Sequence, residues 1–129
     1  MKVIDFYMVT ISPWSYLSIG RLRKIASNNN LKINVKPIDL YTIFSENQTK
    51  LVKDRPLPVQ KNRINELKRW SNYLNLELNI SPKFWPVNPE LSSKLIIASV
   101  LYGADYEKNL DLVEELYKAV WVNELDVSD

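Results

Sequence analysis

The 129-residue sequence predicts an α/β fold that opens with a strand–helix–strand unit and continues into helices. Two observations support this prediction. A buried-strand pattern, a serine–proline helix start and an alternating strand pattern follow one another within residues 3–37. Beyond them, apolar residues recur at helical spacing in segments bounded by proline, asparagine and glycine. The length fits one domain and leaves little room for two.

The first strand and the first helix are predicted from residues 3–27. Residues 3–9 are apolar, β-branched or aromatic apart from Asp5, which is typical of a buried strand. Ser12 and Pro13 then supply an N-cap and a proline at the first helical position. The side chains available for the inner face of this helix are Trp14, Leu17, Leu22 and Ile25.

A second strand is predicted where Leu31, Ile33 and Val35 alternate with polar residues, and Pro37 ends it. Two strands rarely form a self-sufficient sheet, because three or more strands or a covering layer are usually needed. The unit therefore resembles half of an α/β domain. We expect the free strand edge and the uncovered helices to expose apolar surface.

The remainder of the chain is predicted to be helical and irregular. The predicted segments are a short helical turn over 40–45, a polar loop over 46–58, a helix over 59–75, irregular chain over 76–87, a helix opened by Asn88 and ending at Leu101, and a helix over 106–122. Helical spacing places Ile64, Leu67, Trp70 and Leu74 on one face of the first long helix, and Leu110, Val113, Leu116 and Val120 on one face of the last.

The composition excludes several kinds of chemistry. The chain has no cysteine and no histidine, so it has no disulfide, no thiolate nucleophile, no dithiol redox pair and none of the usual zinc ligands. Its two glycines cannot build a glycine-rich phosphate loop. We therefore predict no metal site. Hydroxyls, carboxylates, amides, lysines and helix dipoles remain for function.

Charge and hydropathy limit the classes of partner that the sequence indicates. The net charge is +2, with an acidic C-terminal quarter and a basic remainder, which we interpret as a solvated surface. No arginine cluster or basic–aromatic interleaving indicates nucleic acid. No apolar stretch is long enough to span a membrane, and the N-terminus lacks a secretory signal pattern. The predicted location is cytoplasmic.

The segment Ser12-Pro13-Trp14-Ser15 is the main candidate site. It follows the first strand and opens the first helix, where free backbone N–H groups and the positive end of the helix dipole lie. Such a position stabilises an anion, and the Ser12 hydroxyl has a proton to donate to a bound thiolate. The alternative is an ordinary serine–proline helix start that has no ligand.

The same arrangement resembles a thioredoxin-like active site in which serines replace the two cysteines. The chain is similar to the 2-hydroxychromene-2-carboxylate isomerase family, to kappa-class glutathione transferases and, more distantly, to DsbA-like proteins. The residues that carry the resemblance are Asp5-Phe6-Tyr7, Ser12 to Leu17, Asn47-Gln48, Trp70, Pro86-Val87-Asn88, Trp121-Val122 and Asp126 to Asp129.

The resemblance implies a thioredoxin-like (DsbA-like) fold with an inserted helical domain. Residues 1–39 would be its first βαβ part and residues 40–129 the insert. The distal half of the thioredoxin domain would be missing, because the family continues beyond the segment that matches Asp129. We therefore expect the chain to be C-terminally truncated.

The resemblance also implies glutathione as cofactor. Ser12 matches the catalytic serine that hydrogen-bonds the glutathione sulfur and favours the thiolate. Ser12, Pro13, Trp14 and Asn47 are the implied cofactor-binding residues, and Asn47 and Trp85 the implied substrate-binding residues. The implied activity is cis–trans isomerisation of hydroxychromene-carboxylates in aromatic-compound degradation, with a homodimer as the assembly usual in the family.

Two other functions stay open. A kappa-type glutathione transferase would use the same serine to conjugate electrophiles, and a non-catalytic remnant would have no turnover. The lysine that the family carries before its loop asparagine is absent from this chain, and Lys50 and Lys53 are the candidate replacements.

Overall fold

A computed structural model describes residues 1–129 and contains one small parallel sheet. Strand β1 (Val3–Met8) pairs with strand β2 (Lys32–Pro37), and Val3 lies opposite Lys32. Helix α1 (Pro13–Asn28) connects the two strands. It ends at an asparagine run, where Asn30 has a positive φ of 52° that asparagine tolerates better than most residues. The predicted strand–helix–strand unit is confirmed.

Four further helices follow the sheet. They are α2 (Leu40–Glu46), α3 (Leu57–Leu74), α4 (Glu90–Leu101) and α5 (Tyr106–Trp121), and a 3-10 turn spans Val52–Asp54. Helix α3 begins two residues before the predicted start, because Pro58 is accommodated in the first helical turn, where no backbone N–H is needed. Asn88 lies one residue before the position predicted for it, because the N-cap of α4 is Pro89. The Asn88 Oδ1 still accepts a hydrogen bond of 2.9 Å from the Glu90 N–H at the start of the helix.

The hydrophobic core is centred on α5. Leu110, Val113, Tyr117, Val120 and Trp121 of this helix are buried. They share one buried cluster with residues of β1, β2, α1 and α4. The core therefore contains side chains from both sides of the boundary expected between residues 39 and 40, and that domain division stays a prediction.

Helix α1 turns a different face to the core from the one expected. Trp14 and Ile25 are exposed, whereas Tyr16, Ile19 and Ala26 are buried in the core. The buried residues recur at spacings of three and seven, which places them on the side of α1 that faces β2 and α5. Leu17 is buried and Leu22 is half-buried, as expected.

Helix α3 is covered less than its pattern predicts. Leu67 is buried, but Ile64 and Trp70 are exposed, because the main packing partner of α3 is α1 and not the sheet. Apolar residues are exposed on α4 as well, as expected for a two-stranded sheet with few covering layers: Leu91, Leu95, Ile97 and Leu101. No helix combines the length and apolar character that crossing a membrane requires.

Candidate active site

Ser12 caps the N-terminus of α1. Its backbone is extended (φ −88°, ψ 117°), and its Oγ accepts a hydrogen bond of 3.2 Å from the N–H of Ser15. Its carbonyl accepts from the N–H of Tyr16, and its own N–H donates to the carbonyl of Val9, each at 3.2 Å. The Ser12 hydroxyl thus acts as an acceptor and donates to no protein group. Its proton is available to a ligand.

The first turn of α1 favours an anion. Pro13 is buried and contributes no N–H, and Trp14, which follows it, is 41% exposed. No acidic side chain lies in this turn, so no carboxylate neutralises the positive end of the helix dipole. The structure places Ser12, Pro13 and Trp14 together, as the sequence requires of consecutive residues.

A buried hydroxyl pair anchors the loop before Ser12. Thr10 is fully buried, and its Oγ1 lies 2.6 Å from the Oγ of Ser92 at the start of α4. The Ser92 hydroxyl donates to the carbonyl of Pro89 at 3.0 Å, so Thr10 donates to Ser92. This bond ties the β1–α1 loop to a segment 82 residues away. The sequence did not predict the contact between Thr10 and Ser92, because the residues around each of them give no signal for a hydrogen bond to a distant segment.

Trp85 lies against the same loop. Its Nε1 donates a hydrogen bond of 3.0 Å to the carbonyl of Ile11, the residue before Ser12. Its half-buried ring packs against the ring of Trp121, with centroids 5.7 Å apart. The guanidinium carbon of Arg63 lies 4.9 Å from the Trp85 ring centroid. The structure therefore brings Trp85 to the Ser12 loop, and Arg63 with it.

Asn47 is not joined to this group by a hydrogen bond. It is the C-cap of α2, and its Nδ2 donates to the carbonyl of Ile43 at 2.9 Å. The side chain is exposed, and its Oδ1 accepts no hydrogen bond. The candidate replacement cations Lys50 and Lys53 are exposed and form no ion pair. The roles expected for these three residues stay predictions.

Two tyrosines, Tyr16 of α1 and Tyr117 of α5, pack against each other near the start of α1. The hydroxyl of Tyr16 donates to the carbonyl of Glu77 at 2.7 Å, whereas the buried hydroxyl of Tyr117 has no hydrogen-bond partner. Burial raises the pKa of Tyr117, and the nearby hydroxyl of Ser15 lowers it to a smaller extent. Burial also raises the pKa of Tyr16, so both phenols are neutral at physiological pH.

Arg63 is a further site residue that sequence reasoning missed, in addition to Thr10 and Ser92. A signal for it existed, because Arg63 precedes the buried Leu67 by four residues and so lies on the inward side of α3. Its proximity to Trp85 depends on packing between distant segments and had no local signal. The structure contains no cluster of three carboxylates that could hold a metal ion.

The sheet, the capped helix and the helical layer define a class of protein. Residues 3–129 match the family described as DSBA-like thioredoxin domain. Because the match covers nearly the whole chain, the protein belongs to the DsbA-like thioredoxin domain family. The chain has no cysteine, and the segment that opens α1 has serines at positions 12 and 15.

Within this family, the chain is similar to 2-hydroxychromene-2-carboxylate isomerases. That of Pseudomonas putida is 27% identical over 120 residues, which are 92% of this chain and 56% of the relative. That of Pseudomonas sp. (strain C18) is 28% identical over 120 residues, covering 92% and 53% of the two chains. The chain thus spans about half the length of the curated relatives it matches.

A solved structure of a 2-hydroxychromene-2-carboxylate isomerase has the same fold. It superimposes with a TM-score of 0.73 at 24% identity. The match covers 98% of this chain and 60% of the other. The two proteins thus share the fold over the part of the other chain that this one covers.

Proposed function

We propose that the protein acts as a glutathione-dependent isomerase of the 2-hydroxychromene-2-carboxylate type, with Ser12 stabilising the thiolate of glutathione. The observation that carries the proposal is the Ser12 hydroxyl, which caps α1 as an acceptor and keeps its proton free. The two named relatives support the substrate type.

The residues present fit glutathione. Stabilising a thiolate requires a hydrogen-bond donor and a positive potential, and both are found at the start of α1. Ser12 supplies the donor, and the first turn has no carboxylate that would repel a sulfur anion. Pro13, Trp14 and Asn47 complete the proposed cofactor contacts, and Trp85 and Asn47 the proposed substrate contacts.

The chemistry divides between cofactor and protein. Bound glutathione would supply the sulfur nucleophile, which a protein without cysteine cannot supply itself. Ser12 lowers the free energy of the charged sulfur by donating a hydrogen bond. The hydrogen bonds of Thr10 and Trp85 hold the loop so that Ser12 is positioned in advance.

Turnover tests this proposal. The protein is mixed with glutathione and a hydroxychromene-carboxylate, and formation of the benzylidene-pyruvate isomer is followed by absorbance. We expect glutathione-dependent turnover that falls about 100-fold or more in Ser12→Ala and little in Ser15→Ala, since Ser12 occupies the N-cap of α1 and Ser15 contributes only its backbone N–H to the cap. Equal turnover in wild type and Ser12→Ala would remove the role of Ser12. Conjugation of an electrophile without isomerisation would assign a glutathione transferase instead.

A further inference from the structure

The five arginines of the chain differ in how their charge is balanced. Arg21 and Arg69 are exposed, and solvent screens their charge. Arg23 is half-buried and contacts three carboxylates within 3.2 Å. Arg55 and Arg63 are half-buried too, yet neither has a carboxylate within salt-bridge distance. Arg55 and Arg63 are therefore the two arginines of the chain that are partly desolvated and have no carboxylate partner.

Arg63 is held next to the proposed active site. It lies on α3, four residues before the buried Leu67, and its guanidinium is 4.9 Å from the ring centroid of Trp85. The indole of Trp85 in turn donates to the carbonyl of Ile11. One aromatic side chain thus separates Arg63 from the loop that carries Ser12. The guanidinium makes no hydrogen bond to any protein group, so its five N–H donors are available.

Arg55 adds a second positive charge. Its Nε donates to the carbonyl of Lys50 at 3.1 Å, and Gln60 fastens the segment by donating to the carbonyls of Arg55 and Lys53 at 2.7 and 3.2 Å. Burial lowers the pKa of Arg63, and the charge of Arg55 lowers it further. A partly desolvated guanidinium that also experiences the charge of a second arginine lies in a potential that favours an anion.

We infer that Arg63 binds the carboxylate of a ligand that is held beside Ser12. A guanidinium stacked on an aromatic ring keeps its in-plane N–H groups free, and these match a carboxylate in two parallel hydrogen bonds. The inference rests on the proposed function, because it assigns a ligand contact to the site that contains Ser12. It does not depend on thiolate chemistry.

Two carboxylates could fill the site, and binding measurements distinguish them. One belongs to an aromatic acid, for which 2-hydroxycinnamate is the probe and its methyl ester the neutral control. The other belongs to glutathione, for which S-methylglutathione is the probe and its diethyl ester the control. S-methylation removes the thiol, so failure of the Ser12 proposal and failure of the carboxylate proposal give separate results.

Calorimetric titration of wild type, Arg63→Met and Arg63→Lys with each probe tests the inference. We expect Arg63→Met to weaken binding of one acid about 10-fold or more and to leave its ester unaffected, with Arg63→Lys intermediate. Arg21→Met is the matched control, because Arg21 also lies over a tryptophan, Trp70, with its guanidinium carbon 5.4 Å from that ring centroid, but on an exposed surface. Unchanged affinity for both acids in Arg63→Met, or an equal loss for acid and ester, would overturn the inference.

Discussion

The indole of Trp85 donates its N–H to the carbonyl of Ile11 across a sequence separation of 74 residues. This bond fixes Ile11, the residue that precedes Ser12. Trp85 itself lies in a segment without regular secondary structure. The proposed catalytic loop is therefore held by a side chain from the far half of the chain as well as by its own helix.

Replacing Trp85 should loosen the loop. We expect Trp85→Phe to lower the free energy of unfolding by about 1 kcal/mol, because the carbonyl of Ile11 loses its donor. Urea denaturation measures this change. Trp70→Phe is the control, since the indole of Trp70 is partly exposed and makes its aromatic contacts with Tyr73 and Arg21 only. Equal losses in the two variants would mean that the Trp85 hydrogen bond adds no stability of its own.

The tyrosine pair Tyr16 and Tyr117 offers a comparison within one contact, since their rings lie 6.2 Å apart. Tyr16 hydrogen-bonds the carbonyl of Glu77, whereas the buried hydroxyl of Tyr117 is unpaired. We expect Tyr16→Phe to destabilise the protein by about 1 kcal/mol and Tyr117→Phe to leave it unchanged or more stable. Thermal unfolding of the two variants checks the order. A larger loss in Tyr117→Phe than in Tyr16→Phe would refute it.

Acid should weaken the contact between the two strands. Asp5 on β1 accepts hydrogen bonds from Lys36 at 2.8 Å and Asn34 at 3.0 Å on β2, and these two bonds lower the pKa of Asp5. Since the folded pKa is below the unfolded one, the contribution is present above the unfolded pKa of about 4 and is lost as the pH falls through the folded pKa.

The melting temperature of Asp5→Asn should therefore fall less steeply below pH 4 than that of wild type. Lys36→Gln should reproduce most of this flattening, because the Lys36 bond is the largest cause of the shift. If the melting temperatures of wild type and Asp5→Asn fell with equal steepness below pH 4, the stabilising contact of Asp5 with Lys36 and Asn34 would be contradicted. The comparison is made at low ionic strength, since both side chains are partly exposed.

Arg23, which is half-buried, joins α1 to α5 through a charge network at the protein surface. Its guanidinium contacts Glu107 at 2.7 Å, Asp111 at 2.9 Å and Glu114 at 3.2 Å. We expect Arg23→Met to reduce the free energy of unfolding by about 1 kcal/mol at low salt and by less in high salt.

The control for Arg23 is Lys94→Met. Lys94 pairs with Glu90 inside one helix and both side chains are exposed, so its loss should change stability by less than about 0.5 kcal/mol. Urea denaturation at two salt concentrations measures both variants. A loss in Arg23→Met that does not depend on salt would indicate packing of the arginine stem and not charge.

Signals from neighbouring residues in the sequence were sufficient to predict most of the helices and strands. The serine–proline start of α1 and the asparagine run after it act through neighbouring residues, so the structure confirms that helix closely. The amphipathic pattern of residues 106–122 likewise predicts α5 (Tyr106–Trp121) to within one residue. Trp14 shows the limit, because its apolar character predicted burial while the packing of α1 leaves it exposed.

The site was predicted in part. Ser12 carries its own signal, since capping geometry depends on the next three residues. Arg63 and Thr10 depend on contacts with Trp85 and Ser92, and such long-range packing leaves no periodicity in one sequence. The sequence therefore indicated the hydroxyl but missed the positive charge beside it.

Two substitutions of Ser12 separate its structural role from its proposed chemical role. Ser12→Ala removes the cap and should cost about 1 kcal/mol of stability. Ser12→Asp keeps an oxygen that accepts from the Ser15 N–H, so stability should stay near that of wild type. The aspartate has no proton to donate and repels a thiolate, so only the chemical role is lost.

The thiol pKa of protein-bound glutathione tests the central claim most directly. The ultraviolet absorbance of the thiolate is followed against pH for wild type, Ser12→Ala, Ser12→Asp and Ser15→Ala. We predict a pKa about 1 unit or more below that of free glutathione in wild type and Ser15→Ala, and no lowering in either Ser12 variant. A bound thiol that titrates like free glutathione in wild type, or that is lowered equally in Ser12→Asp, would contradict the assignment of Ser12 as the thiolate-stabilising residue.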